Sequence, residues 1–262
     1  MMALMSFRNV WVEYGDKIVL ERVSLDIHEG SFVSIIGPSG AGKSTFLRLA
    51  LGQEGPTKGE VLLGGEPLRP EPGPDRGVVF QRYSVFPHLT VLQNVLFGSE
   101  CAQAPFLGKL FGSKRRQARE ESAEMLASVG LGDSLNVYPA QLSGGMQQRL
   151  AIAQALIKRP RVLLLDEPFG ALDPGIRMDM HALVTDVWKA HGLTILMVTH
   201  DLKEAFALGT RVMAFDKRRH DPQAPHRFGA TAVYDVTLDR KEGANRPSES
   251  VPDAALPALG SR

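Results

Sequence analysis

The nine residues Gly37-Pro-Ser-Gly-Ala-Gly-Lys-Ser-Thr45, set between an apolar run at 31–36 and an amphipathic stretch at 43–51, constrain this chain more than any others. The string fits G-x-x-x-x-G-K-[ST] in its confirming context, a strand before it and a helix after it. Glycines let the backbone wrap an anion with its N–H groups, and a helix that begins there adds the positive end of its dipole. Lys43 supplies an ammonium for the β- and γ-phosphates, and Ser44 a hydroxyl for Mg²⁺. A Gly-rich turn without a ligand would need neither. The loop is therefore read as a nucleoside-triphosphate site built from Gly37, Pro38, Ser39, Gly40, Ala41, Gly42, Lys43, Ser44 and Thr45.

The rest of the chain supplies an α/β frame for such a loop. Segments 6–14, 18–27 and 31–36 are rich in Val and Ile and are separated by Gly15-Asp16 and Glu29-Gly30 turns, so they read as strands. Segments 59–63 and 77–80 add two more, and four prolines within 67–74 make an irregular loop between them. The continuous apolar runs 162–165 and 194–199 have the pattern of strands buried on both faces, with helices at 174–191 and 201–208 beside them. Such alternation implies a parallel sheet covered by helices on both sides.

Between the two halves the character is helical: 91–97 with Thr90 as cap, 113–129 with Lys114, Arg115, Arg116 and Arg119 on solvated faces, and 144–158 capped by Ser143. This block, about 82–160, reads as an inserted helical subdomain of a single unit spanning 1–238. Segment 227–238 adds a strand or two, and 239–262, rich in Pro, Ser, Ala and charge, reads as a disordered tail.

Asp166 and Glu167 end the buried run 162–165, which should lie beside the phosphate loop. Asp166 is placed to hold Mg²⁺ through water. Glu167, one residue on, points to the other side of the strand and is placed to polarise an attacking water, help worth about 10²–10⁴ in rate. A glutamate at a strand end is otherwise a solvated charge; the adjacent Asp and the following Pro168 favour catalysis.

Composition excludes several classes. A formal charge of +1 leaves no bulk footprint for nucleic acid. The single Cys101 offers neither an internal disulfide nor a zinc site. No apolar run approaches the roughly 18 residues that span a bilayer, and MMALMSFRNV lacks the basic and apolar regions of a secretory signal. Any membrane role must come through docking on other subunits.

One more string carries the family reading. LSGGMQQR at 142–149 follows the phosphate loop and precedes RVLLLDEP at 161–168, with Gln81 between the first two and His200 after the third. In this order, over about residues 5–216, the motifs resemble the ABC-type ATPases. The resemblance implies a P-loop NTPase (RecA-like) core with an antiparallel β subdomain and an inserted α-helical signature subdomain. It implies that two such cassettes, identical or paralogous, sandwich two ATP molecules head to tail. Ser143, Gly144, Gly145 and Gln147 of one would then face the γ-phosphate held by the other.

The same resemblance gives Gln81 the sensing of Mg²⁺ and water, and His200 a contact to the γ-phosphate and Glu167. It gives Asp173, in the 171–173 loop, a crossing of the dimer interface, and Tyr14 a stack on adenine. The implied catalytic set is Glu167, His200, Gln81 and Lys43, with Ser44, Gln81 and Asp166 for the metal. Of Tyr83, Val85, Phe86 and Leu89, some should be core and others should line a groove for a permease's cytoplasmic helix.

Met146 replaces the Gln common in the wider family and is similar to importer ATPases of the nitrate, taurine and sulfonate group. The chain then resembles the motor subunit of an importer. It would be peripheral on the cytoplasmic face of the inner membrane, bound to separate permease subunits and indirectly to an extracytoplasmic solute-binding protein, with no nucleic-acid partner. A soluble ABC ATPase of DNA repair or ribosomes is the alternative, and a small-molecule P-loop kinase a third reading.

Overall fold

A computed structural model describes residues 3–81, 84–103, 110–224 and 226–238. Strands β1 (Ala3–Tyr14) and β2 (Lys17–His28) form an antiparallel hairpin around Gly15, whose φ of 57° suits a tight turn. β3 (Phe32–Ile36) feeds the phosphate loop and α1 (Lys43–Leu51). β4 (Lys58–Leu63) pairs antiparallel with β1, and the two-residue β5 (Glu66–Pro67) closes that edge, where a proline is tolerated. β6 (Arg76–Val79) follows. The helical block comprises α2 (Val91–Gln103), α3 (Gly112–Ser128) and α4 (Gly144–Leu156). The chain returns through β7 (Val162–Asp166), α5 (Pro174–His191), β8 (Thr194–Val198), α6 (Leu202–Leu208), β9 (Arg211–Lys217) and β10 (Ala230–Thr237).

Among the described residues ten strands join in one sheet of order β5-β4-β1-β2-β10-β9-β3-β8-β7-β6. From β9 to β6 every neighbouring pair is parallel. β10 runs antiparallel to β9 and touches β2 through the pair Ala230 and Leu20, so it forms the seam to the antiparallel half. The carboxyl ends of β3, β7 and β8 therefore emerge together, which is where a ligand belongs in an open α/β sheet.

Alternation along the central strands divides the core in two. Leu164, Leu196, Val198 and Ile35 face α1 and the β1–β2 hairpin, whereas Leu163, Leu165, Ile195 and Met197 face α4 and α5. Phe46 of α1 anchors the first layer, with ring centroids 4.5 Å from Phe7 and 4.9 Å from Phe215. Truncating such a fully buried ring to Ala typically costs about 3–5 kcal/mol.

Local chemistry sets the helix ends. Thr90 and Gln93 form a reciprocal capping box, Gln93 N–H donating to Thr90 Oγ1 at 3.3 Å and Thr90 N–H to Gln93 Oε1 at 2.9 Å. Ser143 caps α4 by accepting from Met146 N–H at 3.3 Å. The α2 helix continues past the expected end at 97, through Gly98, to Gln103. A Cβ on Gly98 would lie 3.1 Å from Ile157 Cγ2 of α4's C-cap. β9 was not anticipated, and β10 is the strand expected within 227–238. Arg82, Tyr83 and the tail 239–262 lie outside the described residues. Among the described residues no helix is long and apolar enough to cross a membrane.

Candidate nucleotide site

The phosphate loop takes a path that only glycine allows at two points. Gly37 has φ 147°, and a Cβ there would sit 2.2 Å from the Phe215 carbonyl oxygen of the neighbouring β9. Gly42 has φ 74°, and its Cβ would meet Leu20 Cδ2 at 2.7 Å. No side chain caps α1, so its first backbone N–H groups face the loop. Lys43 Nζ donates to the carbonyls of Gly37 and Pro38 at 2.8 and 2.9 Å, folding the ammonium onto its own loop. Burial pulls the Lys43 pKa down, and the nearby Glu167 and Asp166 carboxylates oppose that pull.

Asp166 ends β7, and it lines the same cavity as Ser44. Burial, together with the charge of Glu167, holds the Asp166 pKa above the usual carboxylate value; Ser44, Arg48 and Lys43 act the other way. Glu167 adopts a left-handed backbone, φ 47°, while its N–H donates to the Val198 carbonyl at 3.0 Å. That conformation costs a non-glycine residue about 1–3 kcal/mol and concentrates at functional sites. Gln81 Nε2 donates to Glu167 Oε2 at 3.3 Å, and His200 Nδ1 lies 3.6 Å from the same oxygen.

Sequence motifs from four places thus converge: Lys43 and Ser44, Gln81, Asp166 and Glu167, and His200. A cavity of about 270 Å³ opens beside them, lined among others by Ser44, Arg48, Phe80 and Asp166. A larger cleft of about 510 Å³ lies elsewhere, between α3 and the end of α5, and touches none of these groups. Among the described residues no cluster of three or more His, Cys, Asp or Glu could hold a metal alone. A hydroxyl, a carboxylate and a carboxamide are the oxygen donors that suit Mg²⁺ completed by phosphate oxygens and water.

Tyr14 ends β1 with 47% of its surface exposed. Its hydroxyl is hydrogen-bonded to Glu54. Arg48 pairs with Glu54 at 3.2 Å, approaches the Tyr14 hydroxyl at 3.5 Å and donates to Thr45 Oγ1 at 3.0 Å. The sequence reading missed Arg48 and Glu54. Arg48 follows Thr45 by one helical turn, which was the available signal.

The signature string stands apart from this site. Among the described residues, none of the hydrogen bonds and ion pairs joining Lys43, Gln81, Glu167 and His200 involves residues 143–147. Gly144 and Gly145 open α4, and a Cβ on Gly145 would come within 2.5 Å of Ile176 Cγ2 on α5. Gln147 turns back into its own subdomain, donating to the carbonyls of Pro139 and Leu142 at 2.9 and 3.3 Å. Asp173 occupies the N-cap position of α5 without a side-chain cap bond.

Three of the four apolar residues singled out after Gln81 lie among the described residues. Val85 is half-buried against the core, while Phe86 is exposed and packs edge-on to Phe97 at 5.0 Å. Leu89 is half-buried. Asn94, fully buried, holds this loop by donating to the carbonyls of Phe86, Leu89 and Thr90 and accepting from Phe86 N–H at 2.7 Å. No motif around Asn94 points to that role.

Comparison with known proteins agrees with this geometry. The pattern of the ABC transporter family matches residues 20–170. The bicarbonate transport ATP-binding protein CmpD of Synechocystis sp. (strain ATCC 27184 / PCC 6803 / Kazusa) is 43% identical over 222 residues, covering 83% of this chain and 76% of that one. The aliphatic sulfonates import ATP-binding protein SsuB of Burkholderia pseudomallei (strain K96243) is 41% identical over 261 residues, covering 95% and 73%. A dimeric structure of the bacterial ABC transporter cassette MJ0796 superposes with a TM-score of 0.71 at 32% identity, covering 90% of this chain and all of that one. The same cassette in a post-hydrolysis state bound to ADP and Pi aligns equally well. With the family pattern spanning more than half its length and such relatives along most of it, the chain belongs to the ABC transporter family, as one of its Mg²⁺-dependent, ATP-hydrolysing cassettes.

Proposed function

We propose that this chain is the ATP-driven motor of an importer and that each of its two active sites is shared between two cassettes. One observation carries the shared site. Lys43, Gln81, Asp166, Glu167 and His200 gather at one place, while Ser143, Gly144 and Gly145 end a capped helix outside it. A helix N-terminus with two glycines is an anion site in want of an anion. The dimeric cassette MJ0796 supports a partner copy as the source of that anion.

The residues then act as follows. Backbone N–H groups of Gly37–Thr45 cradle the phosphates, and Lys43 leaves the Gly37 and Pro38 carbonyls for the β- and γ-oxygens. Tyr14 offers its exposed ring to the adenine. Ser44, Asp166 and Gln81 would hold Mg²⁺, which when bound neutralises charge on the phosphate oxygens. Glu167 orients the attacking water and takes its proton, with Gln81 and His200 fixing the carboxylate through one oxygen. Ser143, Gly144 and Gly145 of the partner close over the γ-phosphate, and Asp173 meets the partner across the interface. Phosphate release removes the charge that joins the halves, and the dimer reopens.

Import is supported by the relatives, one named for bicarbonate transport and one for import of aliphatic sulfonates. Those two cargoes differ in chemistry while their cassettes are 43% and 41% identical to this chain, as expected if selectivity resides in other chains. The permease groove would be formed around the exposed Phe86–Phe97 pair, placing the chain peripherally at the cytoplasmic face of the membrane. An extracytoplasmic solute-binding protein would complete the system. The test is purification of the tagged chain from its native membranes in mild detergent. A polytopic permease retained in equal stoichiometry with the chain is expected; a chain found without one in membrane and soluble fractions alike contradicts the importer reading.

A further inference from the structure

Glu204, in the first turn of α6, is only 5% exposed, and the hydrolytic steps above make no use of it. A carboxylate that deep is costly unless paired. Its Oε2 accepts the Thr199 hydroxyl at 2.6 Å, and its Oε1 lies 3.2 Å from His181 Nε2 on α5. The same Oε1 is 4.0 Å from Arg177 Nε, a buried N–H with no hydrogen-bond partner.

These contacts run to both sides of the hydrolytic carboxylate. Thr199 Oγ1 also accepts from Asp201 N–H at 3.1 Å, so the residues flanking His200 are tied together across it. On the other side, Arg177 Nη2 donates to the Leu172 carbonyl at 3.1 Å, and its N–H donates to the Asp173 carbonyl at 2.9 Å. The His181 ring meets Phe169 edge-on at 4.8 Å. Gly170, in the same loop, lies under His200: a Cβ there would sit 3.6 Å from His200 Cε1. Glu204 is thus a buried carboxylate between the loop that follows Glu167 and the backbone that carries His200.

We propose that Glu204 is a positioning residue for hydrolysis. It fixes His200 against Glu167 through Thr199, and through Arg177 and His181 it ties that placement to the loop Leu172–Asp173. The open Arg177–Glu204 pair is the adjustable part. A displacement of the loop of about 1 Å brings the pair to hydrogen-bond distance, and a shift of that size in a catalytic group changes rates by about 10²-fold. Where Asp173 meets a partner cassette, which rests on the shared-site reading, engagement of the partner would reach His200 along this path.

The test is a mutant cycle on the full chain. Glu204→Gln, Thr199→Val and Thr199→Ser are each made with His200 intact and in a His200→Ala background. Rates are read in single turnovers with protein in excess over radiolabelled ATP, so that slow variants stay measurable, together with the KM for ATP. With His200 present, Glu204→Gln and Thr199→Val should slow hydrolysis about 10–100-fold while KM stays within about twofold, and Thr199→Ser should restore the rate. In the His200→Ala background neither substitution should slow hydrolysis further.

Equal losses in both backgrounds, or a Thr199→Val enzyme as fast as wild type, would overturn the proposal. Should Glu204→Gln not fold, the near-isosteric Thr199 pair decides the question alone. MgATP-dependent dimerisation of Glu167→Gln should survive the added Glu204→Gln change; its loss would place Glu204 in assembly and likewise overturn the proposal. A Glu167→Gln protein that never dimerises, with the mutant cycle intact, counts against the shared site and leaves Glu204's role at His200 standing.

Discussion

His200 Nδ1 stands 3.6 Å from Glu167 Oε2, the oxygen on which Gln81 Nε2 donates at 3.3 Å. Two residues that are 119 positions apart thus meet at one carboxylate oxygen of a third, and the arrangement depends on β6, β7 and β8 ending at the same level of the sheet.

Because Gln81 and His200 converge on one oxygen, their removal should not be additive. Gln81→Ala and His200→Ala are each expected to lower kcat about 10²–10⁴-fold with a modest change in KM, and the double variant to be little worse than the poorer single one. Steady-state ATPase assays of the three proteins check this.

Asp166 trades stability for function. Its folded-state pKa lies above 3.8, so the folded protein binds that proton more tightly than the unfolded chain does. The destabilising contribution is complete above the raised value and vanishes below 3.8, the reverse of a salt-bridged carboxylate. Asp166→Asn should therefore abolish Mg²⁺-dependent ATPase activity yet raise the Tm of the nucleotide-free protein. The gain over wild type should grow as pH rises from about 4 to about 7. Calorimetry across that range checks the sign.

Gly37→Ala places a methyl 2.2 Å from a backbone carbonyl at a φ of 147°, with no flexible side chain to yield. A loss of stability of about 1–3 kcal/mol is expected, with ATP binding lost as the loop moves. Gly40→Ala meets nothing within 4 Å and should suffer only the strain of its φ of 80°. Denaturant melts and nucleotide titrations of the pair separate the two causes.

Asn94→Ala would strand the loop carbonyls of Phe86, Leu89 and Thr90 and the carboxamide of Gln154, which donates to Asn94 Oδ1 at 3.0 Å. A destabilisation of about 1–3 kcal/mol is expected. Hydrogen exchange should quicken in 84–97 first, while α1 stays protected.

The phosphate loop, Asp166 and Glu167 were legible in the sequence because their chemistry is local: glycines, a lysine and an acidic pair at fixed offsets from apolar runs. So were the two cap residues Thr90 and Ser143. Long-range contacts were not. Arg48 reaches Tyr14 across 34 positions, Glu204 reaches His181 across 23, and Asn94 holds a loop whose need for donors shows only once its carbonyls are folded inward. β9 is not legible because its apolar run, 212–215, is only four residues long and is bounded by Arg211 on one side and Asp216 and Lys217 on the other, although all four are buried. The helix expected over 91–97 runs on through Gly98, whose close approach to Ile157 is likewise a long-range contact.

The shared site is tested most directly by the mass of Glu167→Gln in solution, measured by light scattering with and without MgATP. A monomer without nucleotide that becomes a dimer with MgATP, and that Ser143→Arg keeps monomeric, is the predicted result. A Glu167→Gln protein that binds MgATP yet stays monomeric, while the wild type alone still hydrolyses ATP, would contradict it.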